Sequence, residues 1–482
     1  MADQDSQPPL ICNATPATPS SGRNLGVVTL TMMTAALFFT LRNMPMMAAT
    51  GLQMIFFNIV TVFAFLVPIA LVAAELATAW PKNGVFHWVE EAYGTQWGFT
   101  AVWLQWVQSV FGIASILAYI AASLSYAFAP QFASNRWFVF GVIILVYWVA
   151  TIANLRGTRA SGIISAVCLS SGVLVPSLIL IVMAIIYVIT DHPVHLNLAL
   201  TPDNWLPLLN PQHHLLLFLS FIFGVVGIEV SAGHAREVKN VQRNYPIAVF
   251  AAAIIGFITT LLGGLAVAIV VPATRLNMVS GTVQALQHLF TTWHLGMLLP
   301  FAAILIAFGA AGQVSTWILG PIKGIWAASR TGILPTPFQE ANQHGVPRNL
   351  LLVQAVFMST VALLILVMPS VNMAFLLLTS LAVVLYCFMY LLLFTAAIRL
   401  RYTHPDVRRP YRVPGGRNWG LWLVASTGFL TSLTCLFIGL IPPGHMREGI
   451  YAPAILGSLA VMVLCPLLLY RFRHLPSAKA SI

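Results

Sequence analysis

The chain has 482 residues, 59% of them hydrophobic and only 7% charged, with a mean hydropathy of +0.88 and a formal net charge of +11. Soluble domains carry roughly 25% charged residues, so a surface this poor in charge must face lipid, which excludes a water-soluble enzyme or binding module. The excess of positive charge could suggest nucleic acid, but its placement along the chain accounts for it as a membrane-topology signal.

Residues 1–22 are polar and rich in Pro, Ser and Thr, with no apolar stretch ahead of the first span. That pattern predicts a short cytoplasmic tail, not a cleaved signal peptide. Continuously apolar blocks follow, each of roughly 20 to 28 residues and long enough to cross a hydrocarbon core of about 30 Å as a helix. Membrane strands would instead give shorter, alternating segments. The reading is an all-α integral membrane protein with spans at 25–51, 53–78, 97–128, 137–155, 162–190, 213–234, 246–271, 296–328, 349–368, 372–398, 418–441 and 452–471.

Most spans are plain, but two are interrupted. Span 1 reads Leu37-Phe38-Phe39-Thr40-Leu41-Arg42-Asn43-Met44-Pro45, placing a guanidinium, an amide and a proline midway through an apolar stretch. Pro45 lacks a backbone donor and is expected to push Met44 out of helical geometry. Span 6 reads Phe221-Ile222-Phe223-Gly224-Val225-Val226-Gly227-Ile228-Glu229-Val230-Ser231-Ala232-Gly233, whose glycines permit unwinding around a second intramembrane charge. Broken spans in matching positions of two halves point to a binding site between inverted repeats, because unwound backbone is tolerable in lipid only where it lines a cavity or meets a ligand. A charge at mid-bilayer costs about 2.5 kcal/mol or more and needs a partner or water. Arg42 and Glu229 are therefore expected to face each other across a zwitterion, although each could instead hold its broken helix in shape. Glu75, near the inner end of span 2, reads as a structural pairing, and Lys323 as structural or gating. Trp103, Trp106 and Tyr119 read as packing.

With the N-terminus cytoplasmic, the outer loops hold only Arg136, Arg275 and Arg447, and Arg42 lies within a span; the rest of the 23 lysines and arginines fall on the inside. This positive-inside bias places both termini in the cytoplasm, and the basic run Arg399–Arg417 becomes a cytoplasmic loop beside anionic lipid head groups. Outside, Asp191–Gln212 is a long connection and Val271–His294 is expected to carry a short surface helix. His192, His195, His213 and His214 do not have a metal-ligand spacing. Cys12, Cys168, Cys387, Cys435 and Cys465 form no CxxC pair, and all but Cys12 sit in apolar segments as small buried side chains. With no phosphate-binding loop and no HExxH, neither an enzyme nor a metal or other cofactor is expected.

Several segments resemble the amino acid–polyamine–organocation (APC) superfamily. They are Ala74-Glu75-Leu76-Ala77-Thr78 with Gly84-Val85-Phe86-His87-Trp88-Val89, and Gly227-Ile228-Glu229 with Glu237-Val238-Lys239-Asn240 and Arg243-Asn244-Tyr245-Pro246. Trp317-Ile318-Leu319-Gly320-Pro321 through Gly332-Ile333-Leu334-Pro335, then Asn342 and Gly345-Val346-Pro347, continue the likeness. His404-Pro405-Asp406 and Val413-Pro414-Gly415-Gly416 look most like the glutamate/γ-aminobutyrate antiporter family. The resemblance runs from Leu25 to Arg471 and implies a five-plus-five inverted repeat with two further helices. Its divisions are 1–22, 23–190, 191–212, 213–398, 399–417, 418–471 and 472–482. It implies alternating access without ATP, with Glu229 matching a proton-sensing and gating glutamate; with the broken spans, the candidate substrate contacts are Thr40, Arg42, Asn43, Phe223, Gly224, Gly227, Gln313 and Trp317, and Lys323 and Glu75 are further candidates for proton sensing or gating. Trp317 matches an aromatic that packs on substrate, and Phe223 one that caps it.

Two departures bear on the substrate. Phe39-Thr40-Leu41-Arg42-Asn43 replaces the small-residue break of many relatives, and Gln313 stands where the enteric antiporter carries an acid. The cavity should thus favour a neutral or acidic amino acid, such as glutamate, glutamine or γ-aminobutyrate, over arginine, agmatine or a polyamine. The chain stops soon after span 12, so gating by a long C-terminal plug is not expected, and span 5 has no lysine to act as a proton switch. The alternatives are a cationic amino acid or polyamine exchanger and a transport-inactive amino acid sensor; a channel would need repeated polar rings along one axis. The expected setting is a bacterial inner membrane, with an amino acid and, on the antiporter or proton-coupled permease reading, protons as partners. Gly320 and Gly324 form a GxxxG that serves packing inside the bundle as well as dimerisation.

Overall fold

A computed structural model describes residues 26–81, 84–156, 167–168, 170–199, 201–207, 211–416, 418–442 and 448–472. Cys12, Arg23, Lys82, Arg159, Arg417, Arg447, Arg473 and Lys479, with the side chains of His213, His214, Arg236 and Glu237, lie outside the described residues. The described chain is helical, and 11 helices are long and apolar enough to cross a membrane. Span 1 joins them in two short halves, Val27–Phe38 and Leu41–Ala48. Spans 2 to 5 are Gln53–Ala79, Thr95–Phe128, Arg136–Leu155 and Ser170–Ile189. Span 6 is again divided, into Pro211–Phe223 and Ile228–Glu237. Val241–Val270, Leu299–Ala328, Arg348–Val367, Val371–Thr403, Trp419–Ile438 and Glu448–Arg471 complete the set. The two divided helices are thus spans 1 and 6.

Span 3 is the axis of the bundle, buried along most of its length and packed against spans 4, 8, 9 and 10. Spans 5 and 8 cross with their backbones touching: a β-carbon at Gly172 would stand 2.4 Å from the Gly309 backbone. Small residues let transmembrane helices approach this closely. Gly320 faces Val230 and Gly324 faces Val102, so the GxxxG packs inside the bundle against spans 6 and 3. The expected surface helix in 271–294 is present as Gly281–Thr292, while a second, Val85–Tyr93, was not foreseen.

The expected break at Met44 is corrected. Met44 is helical, and Pro45 sits in the first turn of the second half-helix, where a missing N–H costs nothing. The interruption falls instead at Phe39 and Thr40, both extended.

At the basic end, span 10 continues as helix through Arg399 and Arg401 to Thr403. Arg401 turns inward: its Nε donates to Glu75 Oε1 at 2.8 Å and its Nη2 to Oε2. Arg409 Nε lies 3.5 Å from Oε1, and the Val413 N–H donates to Oε2 at 2.8 Å. Part of the basic run thus clamps span 2 to the loop after span 10, beyond any topology role. A buried ion pair stripped of one partner loses about 3–5 kcal/mol, whereas replacing both with apolar groups is often neutral. Glu75→Ala should therefore lower the thermal unfolding midpoint in detergent by several degrees, and the double variant Glu75→Leu, Arg401→Met should recover most of it.

At the opposite end, Tyr187 and His192 from the end of span 5 meet His288 and Trp293 from the surface helix. Tyr187 Oη and His288 Nε2 are 3.4 Å apart. Burial, then the neighbouring His195 and His192, hold His288 below the ordinary histidine value. The folded state thus favours neutral imidazole, and its contribution is present above the ordinary value of ~6.5 and lost as pH falls through the lowered one. Hydrogen exchange in Gly281–Thr292, corrected for intrinsic rate, should be faster at pH 5 than at pH 8.

Candidate functional site

A break in a membrane helix strands carbonyls and amides that must find other partners. In span 1 the stranded carbonyls go to span 8. Trp317 Nε1 donates to Leu37 O at 2.7 Å, and Gln313 Nε2 lies 3.5 Å from Leu37 O and 3.4 Å from Phe39 O. Thr40 Oγ1 accepts the Arg42 N–H at 3.3 Å, closing the first turn of the second half. In span 6 the turn covers 224–227, and Gly227 has φ +100, a conformation that L side chains rarely adopt. Its N–H donates to Tyr390 Oη at 3.2 Å, while a β-carbon there would stand 2.7 Å from the Trp317 ring.

Between the two breaks lies a cavity lined by Leu37, Phe38, Thr40, Arg42, Gln108, Ser109, Gly112, Ile113, Ile116, Phe223, Val226, Gln313 and Trp317. At about 20 Å³ it has room for about one water and not for an amino acid, so admitting a substrate requires a side chain or half-helix to move. Arg42 is 2% exposed. Its guanidinium donates to Ser115 Oγ, lies 3.5 Å from Gly112 O, and stacks 4.3 Å from the centre of the Phe223 ring. The cation is thus shared between span 3 and the aromatic that closes the first half of span 6.

Of the residues expected to contact substrate, Thr40, Arg42, Phe223, Gln313 and Trp317 line this cavity. Asn43, Gly224 and Gly227 stand behind it in the packing between the two breaks. Asn43 is fully buried with neither amide atom bonded, and its Nδ2 would lie 3.2 Å from a β-carbon at Gly224. Lys323 is exposed on span 8, and Glu75 sits in its clamp with Arg401, so neither lines the cavity.

The pairing expected between Arg42 and Glu229 is not what the structure holds. Glu229 is fully buried but outside the cavity lining. Its Oε1 accepts from Tyr386 Oη and from Gln105 Nε2 at 3.1 Å, and its Oε2 from Tyr390 Oη at 2.6 Å. Three donors satisfy a carboxyl without a cation, which is why it need not turn toward Arg42. Tyr390 links this carboxyl to the Gly227 amide, so the group brackets the broken half of span 6 against spans 3 and 10.

The residues not foreseen are those of span 3 and the two tyrosines. Gln105, Gln108, Ser109, Gly112, Ser115 and Tyr119 recur at helical spacing along one face of an otherwise apolar span, and that polar stripe was the available signal.

Two broken helices crossing beside a buried, partly polar cavity in a helical membrane bundle define a membrane transporter. The chain belongs to the amino acid permease family of the APC superfamily, whose family model matches residues 25–464, and it is accordingly an amino acid transporter. It is 36% identical to an uncharacterized transporter of Legionella pneumophila over 92% of this chain and 96% of that protein. It is 32% identical to a glutamate/gamma-aminobutyrate antiporter of Lactococcus lactis subsp. lactis over 91% of this chain and 88% of the relative. A probable agmatine/putrescine antiporter of the same organism is 23% identical over 88% and 90%.

Gly227 offers a direct check on this geometry. Alanine there faces both an unfavourable φ and the Trp317 ring, a strain of order 1–3 kcal/mol. Gly227→Ala should depress transport by about tenfold or more in a protein that still reaches the membrane, whereas alanine at exposed Gly141, which has open space around it, should leave transport near wild type.

Proposed function

We propose that this protein is a secondary active transporter that moves a neutral or acidic amino acid, such as glutamate, glutamine or γ-aminobutyrate, by alternating access. It works by exchange or with protons, in a bacterial inner membrane with both termini cytoplasmic. The carrying observation is the charge of the cavity. Arg42 is its one cation, and no aspartate or glutamate stands among its lining residues. A cationic amino acid or polyamine would meet a like charge and no carboxylate, at an unfavourable electrostatic cost. The likeness to the glutamate/gamma-aminobutyrate antiporter supports the same choice at 32% identity, against 23% for the agmatine/putrescine one.

In this reading the closed cavity opens when the halves of spans 1 and 6 swing, releasing Phe223 from Arg42. Glu229 serves as the gating group: a change in its protonation would weaken its bonds to Tyr386 and Tyr390 and free the broken half of span 6. Glu75 and Lys323 act at the basic end, Glu75 by holding span 2 to the loop after span 10.

Purified protein in liposomes loaded with unlabelled amino acid should take up labelled glutamate, glutamine or γ-aminobutyrate saturably, with counterflow stimulation. Arginine and agmatine should neither enter nor compete. Preferred uptake of arginine or agmatine would establish the cationic exchanger instead, and binding without flux would establish a sensor.

A further inference from the structure

The polar groups around the cavity are mostly spent on the protein itself. Thr40 Oγ1 accepts the Arg42 amide, Ser109 donates to Trp106 O at 2.6 Å, Trp317 donates to Leu37 O, and Gln313 reaches the carbonyls of Leu37 and Phe39. Two lining side chains keep a buried nitrogen with no hydrogen-bond partner: Gln108 Nε2 and Arg42 Nε. Gln108 is 1% exposed and Arg42 2% exposed, so bulk water does not reach them. Gln108 lies one turn before Gly112, whose carbonyl is within reach of the Arg42 guanidinium, which sets the two groups on the same wall. Both unspent groups are donors, and one belongs to a cation.

Buried donors without acceptors are costly unless a ligand completes them. Their complement is a planar anion with two acceptor oxygens, because a carboxylate takes charge-assisted bonds from guanidinium and amide together. An ammonium or a neutral amide fits less well, the first repelled by Arg42 and the second offering one acceptor oxygen. We infer that Gln108 and Arg42 form a carboxylate subsite that reads the side-chain carboxylate of a dicarboxylic amino acid of about glutamate's length. The inference rests on the transport reading above and narrows its substrate, with Gln108 as a specificity residue that touches substrate.

The test compares exchange of labelled glutamate and glutamine in proteoliposomes by wild type, Gln108→Leu and Gln108→Glu, each checked by size exclusion and thermal unfolding. The wild type should favour glutamate. Gln108→Leu should lower the glutamate-to-glutamine ratio by about tenfold, the size expected for one lost bond to a charged group. Gln108→Glu, which keeps the shape and adds a like charge, should lose glutamate exchange more completely than glutamine exchange. Should the leucine variant not fold, the near-isosteric glutamate variant reads the same point. The subsite is overturned if the wild type carries glutamine as readily as glutamate, or if either folded variant lowers both substrates in proportion. A wild type that exchanges no amino acid at all overturns the transport reading itself, a result distinct from a loss of selectivity.

Discussion

The structure depends on how two interrupted membrane helices satisfy the backbone groups they expose. Lipid offers no hydrogen bonds, so each break survives only because a neighbouring span supplies them. Trp317 and Gln313 of span 8 take the carbonyls of span 1, and Tyr390 of span 10 takes the amide of Gly227 in span 6. These bonds fix where the chain can be non-helical and therefore where a cavity can form. They also explain why Trp317 is at once a wall of the cavity and the contact that forbids a side chain at Gly227.

The division of the two intramembrane charges follows. Glu229 is fully engaged by Tyr386, Tyr390 and Gln105, and belongs to the frame that holds span 6. Arg42 is only partly engaged, by Ser115, the Gly112 carbonyl and the face of Phe223, and belongs to the cavity. A frame with closed bonds beside a cation with an open one suits a transporter, in which the ligand must bind strongly enough to order the site and then leave. The clamp of Glu75 with Arg401 and Arg409 ties span 2 to the loop after span 10 at the basic end.

Much of this was legible in the residues. Apolar block length gave the spans, and the glycines of 224–227 marked the second break because positive φ and close approach to an indole need glycine. The first break was expected little more than one helical turn beyond its true position, at Met44 instead of Phe39–Thr40, because proline is disruptive inside a helix but well placed at a helix start. Thr40, Arg42, Phe223, Gln313 and Trp317 could be named for the cavity from the broken spans and the family likeness. The partners of Glu229 could not: Tyr386 and Tyr390 are 157 and 161 residues away, and only the three-dimensional crossing of spans 6 and 10 brings them together. Span 3 was passed over because its polar stripe is thin, a few amides and serines among bulky apolar residues that dominate its average.

The most direct test of the account is an experimental structure of the protein saturated with a transported amino acid. The account predicts a widened cavity between the two breaks, with the ligand against Arg42 and span 3 and the Glu229–Tyr390 contact outside the ligand's reach. A ligand bound elsewhere, or span 1 running as an unbroken helix through Phe39 and Thr40, would contradict it.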